Sequence, residues 1–576
     1  MQADFKDEKY TYTPAIKNND AIQLWFCFPS TYMVGMSSLG YLHLFRLFDE
    51  NPEVAPERVF TDTKKTSRSS REIELMGFSF SFEFDFMGLF KILEKYEIPF
   101  RAKDRGDDFP LIFGGGPVLT ANPEPFADFF DFIIIGEGEE ILDEIVQAYK
   151  KIRGVKNKPK QKGFSDLGKY ELTEESVISE NRTTNSLPTY YKRKKLLELS
   201  KVEGIYTPSF YEPEYNPDKT IKKYAKLTED APERINKRYI KNLQKSIGTP
   251  IVAKKAVFPN MFMIETARGC PKRCRFCIAS YLTLPARYPR VEAIKNAVDA
   301  GLEYSDKIGL LGALIAEHPN FEEICRHILE RREEKEFGIS VSSLRVDTIT
   351  PLIIETLVKC GQKQNTIAIE AGTERLRKVI NKNLNEEAIF KGVKIAHDNG
   401  LKGLKIYGML GLPTETEEDI KQLAALMIRL KKENKGFNLT LSSSSFVPKA
   451  GTPFQWSERA KNNILESKNN YLRKELNLNK IIYKPTSIKW DYIQAVLSRG
   501  DRRLSRLLEA VYAFGGTLGS WNRAYREIGE ILELPNFEWY GLRKRSYEEI
   551  LPWSLINTGI KTDTLIQESK KAISKS

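Results

Sequence analysis

Histidine and cysteine are scarce in this chain, at four and six of 576 residues. So few cysteines over such a length exclude a disulfide scaffold, a device of small secreted domains that cannot build a sufficient core. Long apolar runs are also missing. The most apolar stretch, residues 126–135, is too short to span a bilayer and is broken by Asp128 and Asp131. A mean hydropathy of −0.41 agrees with a protein that has no membrane partner. Residues 1–13 are polar and carry no apolar core of a secretion signal. The expected location is therefore the reducing cytoplasm, where clustered cysteines serve as metal ligands or catalysts rather than bridges. No repeat of fixed period is visible. What is present is a basic chain, with 89 Lys+Arg against 77 Asp+Glu, and 41% hydrophobic residues, enough to exclude disorder. Its length exceeds one hydrophobic core, so several domains are expected.

Residues 20–150 alternate short apolar runs with helical periods. Ala21 to Phe28, Ile73 to Phe80, Leu111 to Phe113 and Phe132 to Ile135 read as buried strands, and Ser38 to Asp49 and Phe86 to Glu97 as helices. Fully apolar strands separated by helices predict a doubly wound parallel sheet. Gly114-Gly115-Gly116-Pro117 and Gly136-Glu137-Gly138-Glu139 fall at strand ends, where open α/β sheets bind ligands. A basic stretch with Lys150, Lys151, Arg153, Lys156, Lys158, Lys160 and Lys162 follows, read as a solvated linker with a polyanion contact as the sharper alternative. From Met261, six apolar runs (261–266, 307–311, 338–343, 365–370, 402–408 and 439–446) alternate with helical segments. Six β/α units predict a partial parallel barrel whose chemistry sits at the strand C-termini. The expected division is an α/β domain at 1–160, a connecting segment at 161–250, the barrel at 251–460 and a helical C-terminal region at 461–576.

Three cysteines, Cys270, Cys274 and Cys277, lie on one loop directly after the first barrel strand. Thiolates select zinc or iron–sulfur clusters. Structural zinc wants four closed ligands, and no second Cys-x-x-Cys pair exists in the chain. Three ligands for a four-iron cluster leave one iron open to a substrate or cofactor, and that is the favoured reading over zinc or no metal. Arg268, Lys272, Arg273 and Arg275 are expected to stabilise the anionic cluster. Cys27, Cys325 and Cys360 stand alone in apolar contexts and read as packing residues.

The cysteine loop, with Phe276 before its last thiol, resembles the motif of radical S-adenosylmethionine (SAM) enzymes. The resemblance implies that Cys270, Cys274 and Cys277 bind a [4Fe-4S] cluster whose fourth iron takes SAM. It further implies SAM contacts at Phe276, at Gly312 in Leu311-Gly312-Ala313, at Ser342 and Arg345 after the third strand, and at Glu370 ending the fourth. Lys405 on the fifth strand and Val447 in Phe446-Val447-Pro448 complete the set. The family's Gly-Gly-Glu turn is absent at 311–313, so contact there would be mainly through backbone.

The N-terminal unit resembles the cobalamin-binding domain of a radical SAM subclass. The histidine frame Asp-x-His-x-x-Gly is missing, since His43 sits in Leu42-His43-Leu44 within a helical period. Cobalamin would then be bound without a histidine ligand from the protein. Methylthiotransferases hold a second cluster on three N-terminal cysteines, but here only Cys27 is present. The stretches Ser498 to Arg503 and Leu551-Pro552-Trp553 resemble the C-terminal region of a poorly characterised subfamily, the basic run being read as a solvated helix start with RNA phosphate contact as the alternative. The function expected is reductive cleavage of SAM to a 5′-deoxyadenosyl radical, with cobalamin-dependent methyl transfer as an outcome the resemblance allows. Partners would be an electron donor such as flavodoxin or ferredoxin and an unidentified substrate (RNA, protein or metabolite); no catalytic residue is assigned. The competing reading is a non-catalytic RNA-binding protein with a structural metal in the cysteine loop.

Overall fold

The computed structural model describes residues 5–66, 68–153 and 189–574. Lys156, Lys158, Lys160 and Lys162 of the basic stretch lie outside the described residues. The N-terminal sheet is built from β1 (Ile22–Phe28), β2 (Val54–Phe60), β3 (Leu75–Ser79), β4 (Leu111–Gly115), β5 (Phe132–Ile134) and β6 (Ile205–Tyr206), in the order β2-β1-β3-β4-β5-β6. The first five strands are parallel, and β6 pairs antiparallel to β5. β1 is almost continuously buried, which fits a strand covered on both faces. The covering helices include α1 (Leu39–Glu50), α2 (Phe86–Lys95) and α3 (Ile141–Ile152). Because β1 lies between β2 and β3, the strand order reverses there. That makes the carboxyl ends of β1 and β3 the crevice in which this topology binds ligands.

Two glycines are required at that edge. Gly116 has φ +114°, and a Cβ on it would sit 2.3 Å from the Phe80 carbonyl oxygen; Gly136 has φ +112° and would meet the Arg238 oxygen at 2.1 Å. A side chain at either position would block the loops from closing.

The barrel strands are β7 (Met261–Ala267), β8 (Lys307–Gly312), β9 (Gly338–Val341), β10 (Gln364–Glu370), β11 (Gly403–Leu410) and β12 (Asn438–Ser445). All pair in parallel within two sheets, which a single bridge from Leu344 to Ile367 connects. A seventh parallel strand, β13 (Ile482–Pro485), adds to β12, so the sheet runs past residue 460. Along β11, Leu404 and Ile406 are buried against the outer helices, while Lys405 and Tyr407 face the open lumen. The chain is thus an N-terminal doubly wound domain, a partial barrel and a helical C-terminal region.

The C-terminal helices α4 (Ile488–Arg499) and α5 (Leu504–Ala513) share the hydrophobic core of the N-terminal domain, where Leu507 and Val511 join Phe86 and Phe90. Polar contacts reinforce this docking. Arg101 donates to Glu509, and Asn122 Nδ2 donates to the Gly500 carbonyl at 2.9 Å. The last helix, α6 (Thr562–Ile573), returns to the barrel.

The run Ser498 to Arg503 is neither a solvated helix start nor a phosphate-binding patch. Arg499 is fully buried and donates to the carbonyls of Gly541 and Arg543. Arg502 pairs with Glu124 at 3.1 Å, and Arg503 pairs with Asp501 while stacking 3.7 Å from the Tyr215 ring. Buried charge requires partners, and these guanidinium groups have theirs inside the protein. Among the described residues no helix is long and apolar enough to cross a membrane.

Candidate active site

The cysteine loop leaves β7 through Gly269, which has φ +78° and lies so close to the Thr283 carbonyl that a Cβ would stand 2.4 Å from it. Backbone bonds then fold the loop on itself: Cys270 N–H donates to Ala279 at 3.2 Å and Cys277 N–H to Cys274 at 3.0 Å. Arg275 ties the loop to the barrel by donating to the carbonyls of Lys378 and Val379, and it pairs with Glu568 of α6 at 2.8 Å. Asn381 Nδ2 donates to the Arg273 carbonyl at 2.9 Å.

Cys274 is buried and its two partners are half-buried; all three are free thiols. Burial pushes the Cys274 thiol up to about 12, against the opposing influence of the nearby Lys382 ammonium. Burial raises Cys277 as well. Such thiols are poor nucleophiles and keep their protons until a metal displaces them. Among the described residues no three acidic, cysteine or histidine side chains converge on a single-ion site.

Three of the four basic residues expected to stabilise the cluster are paired with carboxylates. Arg268 is held by Glu265 (2.8 Å), Glu137 (3.2 Å) and Glu139 (2.7 Å), Lys272 by Glu317 (2.5 Å) and Arg275 by Glu568. Their charge is compensated by carboxylates, and two of those come from the Gly136–Glu139 loop of the N-terminal domain. Arg287 adds a bidentate contact to Glu137. The sequence displayed those glycines as a ligand cradle; the intervening glutamates, which dock the two domains, went unread.

The residues expected around SAM are spread along the barrel mouth. Ser342 Oγ donates to the Gly312 carbonyl at 3.0 Å. Glu370 ends β10 with φ +65°, a strained conformation for a residue with a Cβ, and pairs with buried Lys382 at 3.1 Å. Arg345 is buried, paired with Asp347, and donates to the carbonyls of Lys382 and Asn383. The structure therefore joins Arg345, Lys382 and Glu370 beside Cys274. Phe276 packs in a small apolar cluster with Phe446 and Leu412. Lys405 lies over the Tyr407 ring at 4.8 Å in the lumen, and Val447 is half-buried after β12. Among the described residues no side-chain hydrogen bond or ion pair joins Lys405 or Val447 to the others. Cys27, Cys325 and Cys360 are all buried.

Between the carboxyl edge of the N-terminal sheet and the cysteine loop lies a cavity of about 540 Å³. Its walls include Phe26 of β1, Ser79 of β3 and Gly116 on one side, and Arg268, Ile278 and Gly312 on the other. The glycine-rich loops and the cysteine loop thus open onto one space, at the reversal of strand order. Two titratable groups missed as site residues line it. Lys237 donates to the carbonyls of Leu282 (2.6 Å) and Leu284 (3.1 Å), and burial lowers its ammonium to about 8. His43, on α1, lines the same cavity, and burial lowers its pKa too.

Residues 264–427 match the family model of the radical SAM superfamily, and residues 40–173 match that of the N-terminal region of radical SAM proteins. The chain belongs to the radical SAM superfamily. It is therefore a radical SAM enzyme, and membership implies a [4Fe-4S] cluster and SAM. Uncharacterized protein MJ0966 of Methanocaldococcus jannaschii is 28% identical over 404 residues, covering 69% of this radical SAM chain and 73% of its own. Among solved structures, the cobalamin-dependent radical SAM enzyme OxsB with aqua-cobalamin bound aligns at 12% identity over 96% of this chain and 81% of its own, with a TM-score of 0.47. The alignment to its apo form spans about half of that chain, 52%. The radical SAM methyltransferase TsrM from Kitasatospora setae, with tryptophan and aza-SAM bound, aligns at 12% identity over 73% of each chain, with a TM-score of 0.44.

Proposed function

We propose that Cys270, Cys274 and Cys277 hold the cluster, that SAM binds at its open iron, and that the large cavity takes cobalamin for methyl transfer to a substrate carbon. The single observation that carries this reading is the shared cavity, in which the glycine edge of a ligand-binding sheet faces the cysteine loop. When bound, the cluster supplies the electron that cleaves SAM to methionine and a 5′-deoxyadenosyl radical. The protein's own part is positioning and exclusion of water. Gly116 and Gly136 let the loops that wall the cavity close against the Phe80 and Arg238 backbone, Arg268 and Arg287 lock the glycine loop over the barrel mouth, and the Arg345–Lys382–Glu370 group stiffens the ground beneath Cys274. Cobalamin would be held without a histidine ligand, and flavodoxin or ferredoxin would supply the electron.

Anaerobic reconstitution tests the assignment. Purified protein should turn brown, hold about four irons and absorb near ~400 nm by sulfur-to-iron charge transfer. It should release 5′-deoxyadenosine from SAM under reductant, and Cys274→Ala should lose both properties. Colourless protein with stoichiometric zinc would sink the reading. Retention of hydroxocobalamin by the full chain on gel filtration tests the second cofactor separately.

A further inference from the structure

Two smaller cavities adjoin the large one in series through shared walls. The inner, of about 240 Å³, shares Ser81, Pro117 and Ile278 with it as common walls. Ile278 directly follows Cys277, so this space ends against the cysteine loop. The outer, of about 410 Å³, shares Phe82 and Gln494 with the inner one. Phe82 is 48% exposed and marks its surface end.

The charges of the inner cavity are already balanced. Buried Glu83 pairs with Lys449 and also accepts from Ser498 Oγ at 2.6 Å and Gln494 Nε2 at 2.9 Å. Asn122 gives its amide hydrogens to the carbonyls of Ser498 and Gly500. A charged group brought here would be desolvated with no counter-charge left to meet it. The Gln494 amide oxygen has no described partner, so a neutral hydrogen-bond donor fits.

The outer cavity is aromatic. Phe84 meets Trp490 edge-on at 5.2 Å and Phe82 at 5.3 Å, with Met87 alongside. No lysine or arginine lies among its described walls, and its one acid, Asp491, is bound to the Ser445 N–H and the Thr486 hydroxyl. A polyanion therefore finds nothing to neutralise it, despite the basic chain as a whole.

We propose that these two cavities form the substrate channel and that the substrate is a neutral amphiphile. Its uncharged hydrogen-bonding head reaches past Gln494 toward the cysteine loop, and its apolar tail lies across Phe82, Phe84 and Trp490. This rests on the radical reading of the site.

Decanamide serves as the probe, titrated anaerobically into the full chain and followed by tryptophan fluorescence. Decanoate, decylammonium and a short RNA oligonucleotide are the comparisons. One decanamide per chain should bind saturably, with each charged comparison at least about tenfold weaker. Phe82→Asp and Met87→Glu, both at partly exposed positions, should each weaken decanamide by about tenfold while unfolding at the wild-type temperature. Equal affinity in both variants, absence of saturable binding, or displacement of decanamide by the oligonucleotide would overturn the channel. SAM cleavage by the wild type is read separately. Cleavage without probe binding counts against the channel alone, and probe binding without cleavage counts against the radical reading.

Discussion

Arg275 and Glu568 meet at 2.8 Å although they stand 293 positions apart in the chain. Arg275 stands between two residues of the cysteine loop, and Glu568 lies on the last helix, so the end of the chain braces the loop.

That brace has a measurable consequence. The Arg275 guanidinium is 2% exposed and Glu568 26%, so part of the pair's strength is lost to solvent. Glu568→Gln should cost about 1 kcal/mol, whereas Arg275→Ala, which also strips donors from two carbonyls, should cost about 3 kcal/mol. Urea unfolding gives the stabilities. Iron retained after gel filtration should fall in the same order, and equal retention in both variants would remove the loop-bracing role.

Arg268 should be the more sensitive hinge of the domain interface. It faces Glu137, Glu139 and Glu265 together, and removing it leaves three carboxylates crowded in a partly buried space. We expect Arg268→Leu to destabilise by about 3 kcal/mol and to split unfolding into two transitions as the barrel parts from the N-terminal domain. Glu139→Gln, which removes one of three acids, should cost under about 1 kcal/mol. A single unchanged transition in Arg268→Leu would show that apolar packing alone holds the domains.

Most of the architecture was legible because it is written in local periodicity. Ile22–Phe28 and Phe132–Ile134 are apolar on both faces and became inner parallel strands. The three cysteines were legible because their spacing fits one loop. What stayed hidden depends on pairing across the fold. Arg499, Arg502 and Arg503 look like any basic surface run, yet the first is buried and the other two half-buried, because Glu124, Asp501 and backbone carbonyls from distant segments meet them. Glu137 and Glu139, alternating with Gly136 and Gly138, needed Arg268 and Arg287 in three dimensions before their role showed. β13 escaped because four residues with alternating exposure give too little period to read.

The lone cysteines should behave unlike the loop. Cys27 is fully buried within β1, and burial holds its thiol well above the ordinary range. Cys27→Ala should leave iron content unchanged and cost about 1–2 kcal/mol through the cavity it opens. Iron analysis beside urea unfolding checks both halves. Loss of iron in this variant would mean that the N-terminal domain contributes a ligand.

Lys237 should give stability a specific pH dependence. Burial depresses its folded-state ammonium pKa from 10.5 to about 8. The unfolded chain therefore binds more protons between those values, and stability rises with pH across that window. The full cost is present below pH 8, on the order of 3 kcal/mol before the two carbonyl contacts are counted. Comparing wild type with Lys237→Met isolates this group, since other titrations cancel. The wild-type stability should gain on the variant as pH rises from about 8 to 10.5. A pH-independent difference would place the Lys237 ammonium in contact with water.

His43 should leave any bound cobalt without a histidine ligand. It lines the cavity from α1 and lacks the Asp-x-His-x-x-Gly frame that aims an imidazole at the metal. A ligating histidine also needs a partner on its second nitrogen to fix tautomer and orientation, and no described hydrogen bond supplies one here. His43→Ala should therefore retain hydroxocobalamin to within about twofold of the wild type, a difference of only ~0.4 kcal/mol. After reduction to the cobalt(II) state, the electron paramagnetic resonance spectrum of neither protein should carry nitrogen splitting from an axial imidazole. Splitting present in the wild type and lost in His43→Ala would instead make His43 the lower ligand, with α1 shifting toward the cavity to deliver it.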